Sequence, residues 1–200
     1  IRQVEDPQSP THIRHLARTC GACHGDTVLM AEFGLSADIV SEYEAGVHGR
    51  AIAAGNLAAP SCTSCHGTHG SAPPGLSDVD KVCGACHQAT RRAFIQGPHY
   101  EAMLEAELPE CASCHDAHEV RSLAPEAVGS LCSECHSPDS EQAQLSSKLY
   151  ALIEEARSSL DRAGELIEQG ERRAIEVEDY KSRVEEGRTL VTESLILVHS

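Results

Sequence analysis

At 200 residues the chain has room for one domain or two small ones. With 3% aromatic residues and no tryptophan, it is poorly equipped to build an ordinary apolar core. A formal charge of −15 argues against nucleic acid or an anionic membrane as partner; it suits a basic protein or a cationic metal species, and serves solubility equally well.

Residues 1–10 hold neither the basic nor the apolar region of a signal peptide. No apolar run reaches the roughly 18 residues of a membrane span. His12 and His15 follow three apart, a spacing that puts them on one helical face as candidate metal ligands or as solvated surface residues. Cys20, Cys23 and His24 then form the first of five CxxCH sequences. The others are Cys62/Cys65/His66, Cys83/Cys86/His87, Cys111/Cys114/His115 and Cys132/Cys135/His136, and together they use all ten cysteines. CxxCH is the attachment signature of c-type haem. The two thiols add to the haem vinyl groups, and the adjacent imidazole lies under the iron as proximal ligand. Structural zinc uses two CxxC pairs per metal and would strand one of five. A disulfide scaffold does not need every pair at a two-residue gap followed by histidine. A thioredoxin-like dithiol would occur once, near a βαβ pattern. Five haem c groups would also supply the apolar bulk that the polypeptide lacks. Because covalent haem attachment takes place outside the cytoplasm in bacteria and archaea, we expect an exported protein whose signal sequence was removed or lies upstream.

Residues 28–46 carry Val28, Leu29, Phe33, Leu35, Ile39, Val40 and Tyr43 at roughly helical spacing. Ser36 is the expected N-cap of a helix over 37–45. Residues 58–60 make an extended approach to Cys62. An internal repeat then emerges. Cys62 and Cys111, Cys83 and Cys132, and His69 and His118 each stand 49 apart, while Tyr43, Gly46 and His48 match Phe94, Gly97 and His99 at 51. Each copy, at about 42–88 and 93–137, reads as one two-haem supersecondary unit used again. The repeat also accounts for histidines outside the CxxCH sequences. A low-spin electron-transfer iron needs a second axial ligand. His48 and His69 would serve the first copy, and His99 and His118 the second.

From residue 141 cysteine disappears and Glu and Arg become dense. Leu145, Leu149, Leu152, Ile153, Ala156, Leu160, Ala163 and Ile167 recur at three and four, which predicts an amphipathic helix over 145–168. Gly170 is the expected turn. Ala174, Val177, Tyr180, Val184, Leu190, Val191, Leu195 and Val198 mark a second helix, from near 172 to 199, returning antiparallel. At 1.5 Å per residue the first helix is about 36 Å long, so the return brings His199 back beside residue 145 and the Cys132/Cys135 group. There it would close the one iron that the repeat leaves open. His12 and His15 are the other candidates for that position.

The stretches Ser41-Glu42-Tyr43-Glu44-Ala45-Gly46-Val47-His48-Gly49-Arg50-Ala51 and 62–69 resemble the multihaem c-type cytochromes with paired CxxCH motifs, which are allied to the class III bis-histidine cytochromes c. The resemblance covers roughly residues 1–140 and implies a haem-dominated fold, bis-histidine irons and electron transfer. By the same analogy, residue 1 would lie just downstream of a further haem motif.

The expected fold is mainly α with much irregular loop: a pentahaem cytochrome c domain over 1–140 and a helical hairpin over 141–200. The expected function is electron transfer to redox protein partners or extracellular acceptors, from the periplasm or the cell exterior. A second reading is a subunit of an extracellular conductive filament, a homopolymer in which distal histidines cross between chains. The competing class is a multihaem reductase, which requires an iron with an open position. All five CxxCH sequences end in His, and seven further histidines suffice to close five irons, so an electron carrier rather than an enzyme is expected.

Overall fold

A computed structural model gives the architecture and describes residues 5–68, 78–123 and 131–199. Among these residues the regular structure is entirely helical, joined by much loop, in keeping with the mainly-α fold expected. A 3-10 turn at Ile13–His15 leads into α1 (Leu16–His24), α2 (Thr27–Glu32), α3 (Ile39–Ala45), α4 (Val47–Ala53) and α5 (Cys62–His66). Then come α6 (Val79–Gly84), α7 (Gln88–Phe94), α8 (Pro98–Glu105) and α9 (Ala112–His115). The long helices are α10 (Glu141–Arg172) and α11 (Glu178–Leu197). None of the described helices is long and apolar enough to cross a membrane.

The chain divides into two compact units. One comprises Ile1–Arg91 with His99–Ser122; the other comprises Arg92–Pro98 with Leu123–Ser200. In the first unit α1 packs against α2, α3, α5 and the 3-10 turn, and α3 packs against α4. Local chemistry sets the ends of these short helices. Asp26 caps α2 by accepting the N–H groups of Val28 and Leu29 at 2.9 and 3.0 Å. The helix expected over 37–45 begins two residues later, at Ile39, because Ser36 Oγ accepts the Asp38 N–H at 3.0 Å and folds 36–38 into a turn. The apolar side chains of this unit cover little. Met30 and Ile52 are buried, but Val28 and Phe33 are 73% and 70% exposed.

The second unit contains the hairpin, and its turn lies further on than Gly170. The first helix runs through Gly170 to Arg172, and the reversal falls at 173–177. There Ala174 takes φ 57°, and the Ile175 N–H donates to Gly170 O at 3.0 Å, closing the helix end. Gly170 serves close approach instead, since a Cβ there would come within 2.9 Å of Val177 Cγ1. The helices are therefore unequal, 32 and 20 residues. Gly187 faces Leu160, and Arg188 pairs with Asp161 at 3.7 Å. Extending this antiparallel register sets His199 level with about residue 148, roughly two turns inside the start of α10.

Candidate haem-binding sites

Each CxxCH sequence is built on a helical turn. The His N–H donates to the carbonyl of the first cysteine in Cys83–His87 (2.9 Å), Cys111–His115 (3.0 Å) and Cys132–His136 (2.8 Å). The first two motifs lie within α1 and α5. Residues three and four apart on a helix share a face. One turn therefore presents both thiols and the imidazole on the same side, as a single porphyrin requires. In both copies of the repeat the turn then breaks at once through a positive φ, at Gly67 (72°) and at Asp116 (63°). Asp116 adopts a conformation costly for any residue but glycine. Arg121 holds it there: its guanidinium pairs with the Asp116 carboxylate at 2.6 Å, and its N–H donates to His115 O at 2.9 Å. The Arg121 carbonyl also lies 2.9 Å from His115 Nδ1. If His115 donates that bond, Nε2 is left unprotonated and able to bind a metal. No spacing in the sequence links Arg121 to the cysteines.

No disulfide links any of the ten cysteines. In the first unit the motifs adjoin one another in chain order. The Cys20 thiol bonds to that of Cys62, and it is pushed up by burial and then by the Cys62 charge. Cys65 is likewise raised by burial first, then by Cys83, Cys62 and Cys86. Cys83 accepts a hydrogen bond from Cys111, which lowers its pKa to about 7 and raises that of Cys111.

Histidines from different helices meet in two places. The His48 and His87 rings are 6.2 Å apart, with planes at 30°; those of His66 and His118 are 6.1 Å apart at 23°. Burial lowers the pKa of His48, with the His87 charge second. Burial likewise lowers that of His66, followed by the charges of His118 and His24. These shifts favour the neutral imidazole, the form that binds metal. Two imidazoles on one iron, with metal–nitrogen bonds of about 2 Å and ring centres about 1 Å behind the nitrogens, stand about 6 Å apart. Both pairs fit that spacing. His118 reaches His66 because the backbone of 118–120 lies against the joint between α3 and α4. Val47 N–H donates to Val120 O at 2.9 Å, and a Cβ on Gly46 would sit 3.0 Å from His118 O. Glu42 stands 3.7 Å from His118 Nδ1, an outer partner that turns Nε2 the other way. Tyr43 anchors the same joint to the entrance of α5 by donating to Pro60 O at 2.9 Å. Thus His118 stands beside a histidine of the first copy, not of its own.

The remaining expected ligands are placed as follows. His12 is buried, and its Nδ1 accepts the Arg14 N–H at 3.3 Å; His15 Nε2 lies 2.9 Å from Pro7 O. Their rings are 6.1 Å apart but tilted by 54°. His99 is in the first turn of α8, and His199 Nδ1 lies 3.2 Å from Ile196 O. His69 lies outside the described residues. One further cluster gave no sequence signal. Asp80 and Glu110 are each 1% exposed, and Arg91 places both Nε and Nη2 2.7 Å from Asp80 Oδ2. Burial, then the Asp80 charge, raises the Glu110 carboxyl.

The family model described as the doubled CXXCH motif matches the chain at residues 55–92 and 105–141. No curated protein and no solved structure matches it. The two matched segments each span a pair of CxxCH turns, so the chain carries, twice over, the doubled motif of multihaem c-type cytochromes, which bind haem c covalently through their cysteines.

Proposed function

We propose that the chain conducts electrons along five covalently attached bis-histidine haem c groups. Cys20 and Cys23, Cys62 and Cys65, Cys83 and Cys86, Cys111 and Cys114, and Cys132 and Cys135 would form the thioethers. His24, His66, His87, His115 and His136 would be the proximal ligands. The distal set is drawn from His48, His69, His99, His118 and His199, with His12 and His15 as further candidates. Residues 1–140 form the haem-bearing part and 141–200 the helical hairpin. The observation that carries this reading is contiguity: Cys20 adjoins Cys62, Cys65 faces Cys83 and Cys86, and Cys83 adjoins Cys111. Four successive attachment sites thus form one string, which suits stepwise electron passage. Bound haem iron supplies the one-electron ferric/ferrous couple, tuned by axial ligands, burial and charge. The polypeptide supplies position and electrostatics. Its acidity suits a basic redox protein or a cationic acceptor, met in the periplasm or outside the cell.

Intact mass after acid–acetone extraction tests the first half of the proposal. It should exceed the apo-chain mass by five haems, and a smaller excess would overturn the count. Spectra test the second half. Every ferric iron should be low-spin, and carbon monoxide should leave the reduced spectrum unchanged. A high-spin band with rapid carbon monoxide binding would instead identify an open iron and a reductase.

A further inference from the structure

We infer that the axial ligation crosses the repeat: His118 is the distal ligand of the Cys62/Cys65 haem, and His48 that of the Cys83/Cys86 haem. This rests on the haem-carrying function proposed above and assigns ligands within it. The simplest scheme lets each copy of the repeat close its own irons. The His48–His87 pair, at 6.2 Å, obeys that scheme, but His66 faces His118 from the second copy at 6.1 Å. The ligand loops 48–87 and 66–118 therefore interlock, and each encloses the proximal histidine of the other. Two features outside the haem region hold the crossing in place. The Val47–Val120 hydrogen bond and the close approach at Gly46 fix the His118 segment, and Glu42 faces the outer nitrogen of the His118 ring.

The repeat does not carry the crossed pair forward. Carrying His66 and His118 forward by 49 gives His115 and position 167, which is Ile167. The Cys111/Cys114 iron is therefore not closed by the repeat rule and takes its ligand from outside it.

The test uses the haem-loaded protein and electron paramagnetic resonance. His118→Ala should turn one of five irons, about a fifth of the total, from low-spin to high-spin. Removing the Cys62/Cys65 haem with Cys62→Ser and Cys65→Ser should abolish that effect, so that adding His118→Ala creates no further high-spin iron. Removing the Cys111/Cys114 haem in the same way should leave the effect intact. The assignment fails if His118→Ala is silent in a protein with five low-spin haems. It also fails if the new signal persists without the Cys62/Cys65 haem. A low haem count in the unaltered protein is a separate result, and it would sink the functional reading rather than the assignment. Should the cysteine variants not accumulate, electron cryomicroscopy of the unaltered loaded protein decides directly: density joining His118 to any iron other than that of the Cys62/Cys65 haem overturns the assignment.

Discussion

The unit that bears four of the five CxxCH turns and the hairpin bury side chains of opposite character. Among described residues the first buries Ser9, His12, Ser61, Asp80 and Glu110, with Met30 and Ile52 as its buried apolar residues. The hairpin helices bury Ala143, Ile153 and Val184, and half-bury Ala156, Leu160, Ala163, Val191 and Leu195. The hairpin is thus an ordinary amphipathic pair whose core is written in its own periodicity. In the other unit, polypeptide burial is too meagre to offset the entropy of ordering the chain. Its missing core is the porphyrin that its cysteines are spaced to hold.

The strongest way to break this contrast is to withhold haem. In apo-protein, hydrogen exchange followed by mass spectrometry should show protection lost in α1 to α6 and α9 but kept in the two long helices. Equal loss in both regions would mean that the hairpin, too, depends on haem. The next largest effect should come from Arg91→Met, which leaves the buried Asp80 carboxylate without its cation. Breaking a buried pair costs about 3–5 kcal/mol, and because Arg91 is 32% exposed the lower end should appear in the denaturation midpoint. An unchanged midpoint would show that the pair is not a structural element.

Alanine at glycine probes the two regions with one chemical change. At Gly49 a Cβ would press on the Tyr43 carbonyl, which is backbone and cannot turn aside, so Gly49→Ala should cost about 2–3 kcal/mol. At Gly187 the Cβ would meet Leu160 Cδ2 at 2.6 Å, the movable end of a side chain. The helix-propensity gain of about 1 kcal/mol should roughly cancel that contact, so Gly187→Ala should leave the thermal midpoint almost unmoved. If the two variants behave alike, packing in the first unit is looser than its backbone contacts indicate.

The smallest effect concerns Glu110. Its folded pKa lies above the unfolded value of 4.5, so the folded state binds more protons between those two values and the ionised group opposes folding above them. Glu110→Gln should therefore stabilise the protein at neutral pH, and the advantage should fade as pH falls towards 4.5. A gain that grows on acidification would refute the assigned direction of the shift.

Much of this molecule is local, and what is local could be read directly. A CxxCH turn needs only the i, i+3 and i+4 spacing of one helical turn, and the hairpin stripe needs only a 3.6-residue period. Both are carried by neighbouring residues. The repeat likewise marked His48, His99 and His118 as a set, because equal spacing is visible without any fold. The position of the hairpin turn was not legible, since Gly170 signals reversal by composition while the helix end is set at Ala174 by the hydrogen bond that Ile175 makes to Gly170. Nor was the partner of His118, which depends on Val120 meeting Val47 across more than seventy residues of chain. Nor was the charge cluster, where Arg91 finds Asp80 through the packing of two helices. Amino-acid order determined where each haem could attach; tertiary structure decided which imidazoles face each other, because that depends on loops closed by long-range backbone contacts and has no period to read.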